Sequence, residues 1–296
     1  MYAIAVHGGA GVKERKELSP ELEERYLQGL RQAINAGYSI LESRGRALDA
    51  VEAAVASLEN NDLFNAGKGS VFTADETHEM EASIMNGSNL DAGAVCGIRN
   101  VRNPVRLART VLEKSIHLFL AGRGAEKFAR ENNLPFEPDD YFYSAERYQQ
   151  LRVSKILKPQ GTGTVGAVAI DFSGNLAAAT STGGLTNKNY GRVGDSPLIG
   201  AGTYANNSTC AVSCTGDGEY FIRAVAAYDI SALLEYSGLS LREACEKVIL
   251  EKLPAIGGEG GAIAVDIEGN IEMIFNSNGM YRGYRKENGA PVVSIY

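Results

Sequence analysis

The chain has 296 residues, 44% hydrophobic and 22% charged, with 36 acidic against 29 basic side chains and a net charge of −7. That length makes one large domain or two small ones. The acidic balance and the lack of any Lys/Arg run of five exclude a nucleic-acid or anionic-membrane surface, and no apolar stretch approaches the roughly 18–20 residues of a membrane span.

The 34 glycines, about 11% against about 7% on average, come with only 8 prolines and no period of three, so the class is neither collagen-like nor disordered. The excess points to backbone in tight turns or close to a ligand. Residues 2–6 are a short β-rich run that stops at His7-Gly8-Gly9-Ala10-Gly11, a strand feeding a glycine-rich loop. This start has no basic segment and turns glycine-rich too early for a signal peptide. Ser19-Pro20-Glu21-Leu22-Glu23 opens a helix with serine as N-cap, proline at N1 and acids in the first turn. Leu22, Tyr26, Leu30, Ile34, Tyr38 and Leu41 then recur every three or four residues on one face. A second helix is expected over about 47–58, followed by the small-residue loop Leu63-Phe64-Asn65-Ala66-Gly67-Lys68-Gly69-Ser70. β-like runs at 71–73 and 92–99 and helices at about 104–114 and 120–132 complete this half.

Residues 134–163 carry Pro135, Pro138, two aspartates and an aromatic cluster with no sustained period, which predicts a loosely structured, flexible linker ending at Gly161-Thr162-Gly163. Beyond it, strands are expected at 164–170 and 176–182 around the turn Asp171-Phe172-Ser173-Gly174-Asn175. A short strand at 211–214, helices at about 219–236 and 240–252, and a hairpin of 261–267 with 271–275 follow. Strands and helices cluster in blocks, which predicts layers of α and β in preference to a parallel βαβ series.

Cys96, Cys210, Cys214 and Cys245 are too few and too scattered for a disulfide framework and read as reduced, buried thiols of a cytoplasmic protein. Gly161-Thr162-Gly163-Thr164-Val165-Gly166 matches a dinucleotide fingerprint but leads into a strand, where that site needs a helix. Gly67-Lys68-Gly69-Ser70 lacks the upstream glycine of a phosphate cradle. His7, His78 and His117 are scattered, with no serine elbow and no zinc-ligand spacing; His7 suits a role in fixing loop backbone.

Thr164 has two readings. It is a strand-opening residue chosen for β-propensity, or the residue freed when the Gly163–Thr164 bond is cut. In the second case its own α-amine, with an ordinary pKa near 7.7–8.0, serves as base for its hydroxyl and no histidine is needed.

Beyond Gly163-Thr164-Val165-Gly166-Ala167-Val168 lies a dense series: Thr180-Ser181-Thr182-Gly183-Gly184, Gly191-Arg192-Val193-Gly194-Asp195-Ser196-Pro197, Gly200-Ala201-Gly202 and Ser213-Cys214-Thr215-Gly216-Asp217-Gly218-Glu219. With His7–Gly11, Leu63–Gly67, Asn103-Pro104 and Gly257–Gly261, these blocks resemble, in order and over the whole chain, the plant-type L-asparaginase/isoaspartyl peptidase family of N-terminal-nucleophile hydrolases. The resemblance implies one domain over 1–296, a four-layer αββα sandwich that cuts itself into 1–163 and 164–296. The two pieces stay together, in a dimer of such heterodimers. It implies an amidohydrolase that turns L-asparagine into aspartate and ammonia and cleaves β-aspartyl dipeptides, through an ester on Thr164.

By the same resemblance Thr182 tunes the nucleophile, Thr215 and the Gly216 N–H form an oxyanion hole, and Arg192 with Asp195 clamps the substrate's α-carboxylate and α-ammonium. Gly218 offers backbone to that clamp, and Asn65 stands near Thr164. Catalysis needs no cofactor. A structural sodium is permitted on the carbonyls of Leu58, Glu59, Asn61, Phe64, Ala66 and Lys68. Two positions depart from the family pattern, Glu81 in place of aspartate and Ile116 in place of proline, and neither is expected to touch the chemistry. A glycosylasparaginase is set aside because the chain has no tryptophan and no secretion signal. A protease acting on whole proteins lacks a long insertion, and a non-catalytic homologue would have lost Thr164, Thr182 or Arg192.

Overall fold

The computed structural model describes residues 1–12, 15, 18–156 and 163–296. The first half runs β1 (Ala3–Ala10), α1 (Pro20–Glu42), α2 (Ala47–Glu59), β2 (Met80–Asn86), β3 (Ala92–Ile98), α3 (Pro104–Lys114), β4 (Phe119–Ala121), α4 (Gly122–Glu131), α5 (Asp139–Phe142) and α6 (Ala145–Ser154). The second half runs β5 (Val165–Ile170), β6 (Leu176–Thr182), β7 (Thr203–Ala205), β8 (Cys210–Gly216), α7 (Gly218–Ala224), α8 (Ala226–Ser237), α9 (Leu241–Glu246), α10 (Leu253–Ala255), β9 (Gly260–Asp266), β10 (Ile271–Phe275), β11 (Met280–Lys286) and β12 (Val292–Ser294).

One sheet has the order β12-β11-β1-β5-β6-β2-β3-β4 and the other β10-β9-β8-β7. Neighbours are antiparallel apart from β3 and β4. The period-two alternation of each strand splits its side chains between two layers. From β1 and β5, Ile4, Val6, Val165, Ala167 and Ala169 pack outward on Leu30, Ile34, Val51 and Val55 of α1 and α2. Their alternates Ala3, Ala5, Val168 and Ile170 face inward and meet Ala211, Ile263 and Val265 of the smaller sheet. Val212, Cys214, Ala262 and Ala264 then face outward on Ile230, Val248 and Ile249. Helices, sheet, sheet and helices make the expected αββα sandwich.

The Ser19 cap is as expected: its Oγ accepts the Leu22 N–H at 3.2 Å. The stretch expected to be a loose linker differs. Over its described part it holds α5 and α6, while residues 157–162, including Gly161 and Thr162, lie outside the described residues. Helix α6 buries only Arg147 and Leu151. That buried guanidinium donates to the carbonyls of Gly69 and Leu63, both at 3.0 Å, and so ties the helix to the Asn65 loop. No strand forms at 71–73, where Thr73 makes an isolated bridge to Lys188. Strands β2 and β11 lack an apolar alternation because Glu81 and Ser83 in one and the arginines of the other occupy strand positions. All four cysteines are free and buried, and burial pushes the Cys210 thiol up to about 12.

Candidate active site

The inter-sheet layer is apolar at one end and polar at the other, and strand register produces the change. Ala3 and Ala5 lead along β1 to His7; Leu176 and Ala178 lead along β6 to Thr180 and Thr182; Ala211 leads along β8 to Ser213 and Thr215. Val165 pairs with Ser181, which brings the preceding Thr164 beside Thr182. The Thr164 hydroxyl donates to Thr182 Oγ1 at 3.3 Å. Thr182 Oγ1 also accepts the Gly184 N–H at 3.0 Å and donates to the Gly163 carbonyl at 3.5 Å.

Asn65 reaches the same carbonyl. Its Nδ2 donates to Gly163 O at 3.0 Å and to Gly184 O at 2.8 Å, while its Oδ1 accepts the Val71 N–H at 3.0 Å. Two donors therefore converge on the oxygen of the peptide bond before Thr164. Gly163 sits at φ +58, in the left-handed region that favours glycine. Gly9 passes so close that a Cβ there would stand 2.5 Å from Gly163 Cα and 3.1 Å from Thr164 N. Gly9, near the end of β1, is thus required by contact with the bond before Thr164, while a Cβ on the preceding Gly8 would strike the Phe64 ring.

His7 holds Thr164 from behind. Its Nδ1 lies 2.9 Å from Thr164 O, an acceptor, so Nδ1 carries the proton and Nε2 accepts from Ser213 Oγ at 2.9 Å. Ser213 continues to Thr180 at 2.7 Å. Burial drives the His7 pKa down to about 3, partly offset by the bond to Thr164, so the ring is neutral and fixes backbone.

The loop after β6 supplies the charged groups. Arg192 donates through Nε and Nη2 to Glu219, both at 2.9 Å. Burial works against the Arg192 charge, but the Glu219 carboxylate outweighs it and holds the guanidinium above its ordinary range. Asp195 is fully enclosed, and burial raises its carboxyl to about 7 despite Arg192. Asp195 Oδ2 and Ser196 Oγ are buried without a hydrogen-bond partner. A Cβ on Gly218 would stand 2.8 Å from Asp195 Oδ1 and 2.9 Å from Arg192 Nη2, so both groups converge on that glycine. Gly163, Thr164, Thr182, Arg192, Asp195, Ser196 and Gly216 line one small cavity. Thr215 is buried one residue from Gly216; its Oγ1 accepts the Ala10 N–H at 3.1 Å, and among the described contacts none joins it to Thr164.

A threonine at a glycine–threonine bond, a guanidinium and a buried carboxylate with one oxygen free of partners, all in one cavity, suit amide chemistry on an amino acid. Comparison with known families agrees: the family described as asparaginase matches residues 1–295. The chain belongs to this asparaginase family. The isoaspartyl peptidase of Escherichia coli (strain K12) is 52% identical over 99% of this chain and 95% of its own length. A probable isoaspartyl peptidase/L-asparaginase of Arabidopsis thaliana is 44% identical over 100% and 99%, and the isoaspartyl peptidase/L-asparaginase of Rattus norvegicus 44% over 90% and 81%.

Glu81, one of the two departures from the asparaginase pattern, makes no bond to Thr164 among the described contacts but lies near the site. It pairs across the sheet with Thr182, and its Oε2 accepts the Gly194 N–H at 2.9 Å, between Arg192 and Asp195. Ser213, Thr180 and Glu219 lie in the dense segments of the sequence, but their contacts with His7, with one another and with Arg192, like the burial of Lys188, are visible only in the fold. The two-residue spacing of Ser213 with Thr215 and of Thr180 with Thr182 was the available signal, since alternate strand residues share a face. The contacts of Asn65 yield a prediction. Asn65→Ala should slow the appearance of fragments 1–163 and 164–296 about 10²–10³-fold, the usual loss for one oxyanion donor. Time-resolved gel analysis checks it, and an unchanged rate would remove Asn65 from bond cleavage.

Proposed function

We propose that the chain is an autoprocessing threonine amidohydrolase that cleaves β-aspartyl dipeptides and hydrolyses L-asparagine to L-aspartate and ammonia. One observation carries the reading: the buried Asp195 carboxylate, whose Oδ2 has no hydrogen-bond partner, stands beside Arg192 in the cavity that also holds Thr164. An L-amino acid with free α-ammonium and α-carboxylate satisfies both groups at once.

Thr164 Oγ attacks the Gly163 carbonyl carbon, whose developing oxyanion is met by Asn65 Nδ2 and Thr182 Oγ1. The Gly163–Thr164 C–N bond breaks as the C–O ester forms, and the hydroxyl proton ends on the freed amine. Water then hydrolyses the ester to the Gly163 carboxylate. In the mature enzyme the Thr164 amine takes the hydroxyl proton and Oγ attacks the substrate's side-chain carbonyl. Thr215 and the Gly216 N–H receive that oxyanion, ammonia or an amino acid leaves, and water releases aspartate from the ester.

A structural sodium in this reading sits in the loop at the end of α2, where main-chain carbonyls press on two glycines: a Cβ on Gly67 would strike Glu59 O, and one on Gly69 would strike Phe64 O. The carbonyls of Leu58, Glu59, Asn61, Phe64, Ala66 and Lys68 would hold the ion, which would brace the Asn65 loop and take no part in bond making. The four free, buried cysteines favour a reducing, cytoplasmic location. The mature form in this reading is a dimer of heterodimers.

Intact mass spectrometry after warm incubation tests the cut: masses of 1–163 and 164–296 are expected, and a persistent single mass would overturn it. The pH profile tests the clamp. Asp195 must be ionised to receive an ammonium, and its raised pKa of about 7 means that it gains a proton as pH falls through 7. The Thr164 amine must be neutral as well. Below pH 7, kcat/KM for asparagine should fall about tenfold per pH unit for each of these two groups. Asp195→Asn should be much less active and lose the steeper component; an unchanged acid limb would exclude Asp195 from substrate binding.

A further inference from the structure

Outside the groups that face the cavity, an ion pair of an exposed-loop residue and a sheet residue is sealed from water. Lys188 Nζ lies 3.2 Å from Glu81 Oε1, with the two side chains 1% and 0% exposed. Nζ also donates to the Glu79 carbonyl at 2.8 Å. The other oxygen of Glu81 takes the Gly194 N–H at 2.9 Å. One carboxylate on β2 therefore grips the loop at two points six residues apart, and Arg192 lies between them while Asp195 follows directly. Neither Arg192 nor Asp195 has a backbone anchor of that kind to the sheet among the described contacts. The loop between the grips is otherwise loosely built: Tyr190 is fully exposed and takes φ +58, and Gly191 takes φ +67.

A buried ion pair rarely adds net stability, because desolvating two charges costs about what their attraction returns. Its value lies in geometry: a charge that has one place to go fixes the backbone that carries its partner. We infer that Glu81 is the positioning residue of the substrate clamp, holding the Lys188–Gly194 segment so that Arg192 and Asp195 meet an amino acid preorganised. The inference rests on the clamp reading of the proposed function and adds to it a residue 111 positions before Arg192. It acts on binding and not on the bond before Thr164, whose donors are Asn65 and Thr182.

Single substitutions would strand a buried charge and confuse folding with function, so the test uses paired ones. Glu81→Ala with Lys188→Met removes both charges and the Gly194 tether. Glu81→Gln with Lys188→Met removes both charges but leaves an amide oxygen for the Gly194 N–H. The first pair should raise KM for L-asparagine about tenfold or more through lost preorganisation, with kcat within about threefold and fragment formation unchanged. The second should return KM to within about threefold of the parent. KM equal to the parent's in the first pair, or no rescue in the second, would overturn the inference. A joint fall of kcat and self-cleavage would do the same, since a general structural defect moves all three. Calorimetric titration of L-aspartate into the processed proteins separates this inference from the function reading. A parent that hydrolyses nothing would sink the latter, while equal aspartate affinity in the parent and both pairs would sink the former.

Discussion

Thr164→Ala is expected to stay a single chain of 296 residues and to hydrolyse neither asparagine nor β-aspartyl dipeptides. The substitution removes the hydroxyl that donates to Thr182 at 3.3 Å and leaves the rest of the fold alone, because Thr164 is bound to its neighbours through its carbonyl to His7. Loss of a covalent nucleophile costs about 10⁶-fold in kcat in comparable hydrolases, below the detection limit of ordinary assays. Thr164→Ser keeps an oxygen in place and should still cut, with slower kinetics from a less restrained side chain. Intact mass and ammonia release read both variants. Hydrolysis surviving in Thr164→Ala would remove this residue from the mechanism altogether.

Arg192→Ala should behave in the opposite way. It should form fragments 1–163 and 164–296 at the parent's rate, because Arg192 makes no hydrogen bond to Gly163 or Thr164 among the described contacts. Its KM for asparagine should rise about 10²-fold or more, since each charge-assisted bond from the guanidinium to an α-carboxylate is worth about 1.5–3 kcal/mol. Glu219, left without its partner, has a side chain 53% exposed and is solvated by water, while the enclosed Asp195 loses the positive charge of Arg192 and is held more firmly in the neutral form. A normal KM would show that the α-carboxylate is bound elsewhere. Uncut Arg192→Ala would show that the clamp loop contributes to the bond before Thr164, against the separation of binding and self-cleavage drawn from Asn65 and Thr182.

Much of the architecture was legible because it depends on local pattern. The Ser19-Pro20 cap, the apolar stripe of α1 and the hairpin turns at Asp171–Asn175 and Glu268–Asn270 are decided by neighbours within four or five residues. Strand β2 is not legible because its buried polar and charged residues are satisfied by partners far along the chain, and β11 because half-buried arginines, bonded to nearby carbonyls, break its apolar alternation. Glu81 is held by Lys188 and Gly194, and Ser83 donates to Ser196 O at 2.6 Å. The order of residues 139–154 is hidden for a related reason: on α6 the buried Arg147 bonds to the carbonyls of Gly69 and Leu63, and Leu151 is the one other buried residue of that helix.

The sequence by itself determined which chemical groups the site contains. Thr164 after glycine, the second threonine two strands' turn away, and arginine and aspartate three residues apart in one glycine-rich loop are properties of short segments, and the family resemblance follows from those segments in order. Only the tertiary structure decided which donors meet the Gly163 carbonyl, why the glycines after His7 have no side chain, and that Glu81 reaches the loop carrying the clamp. These are distances between residues from 19 to 113 or more positions apart. Sheet register sets them, and register is the joint result of packing two sheets and two helix layers, which no local window contains.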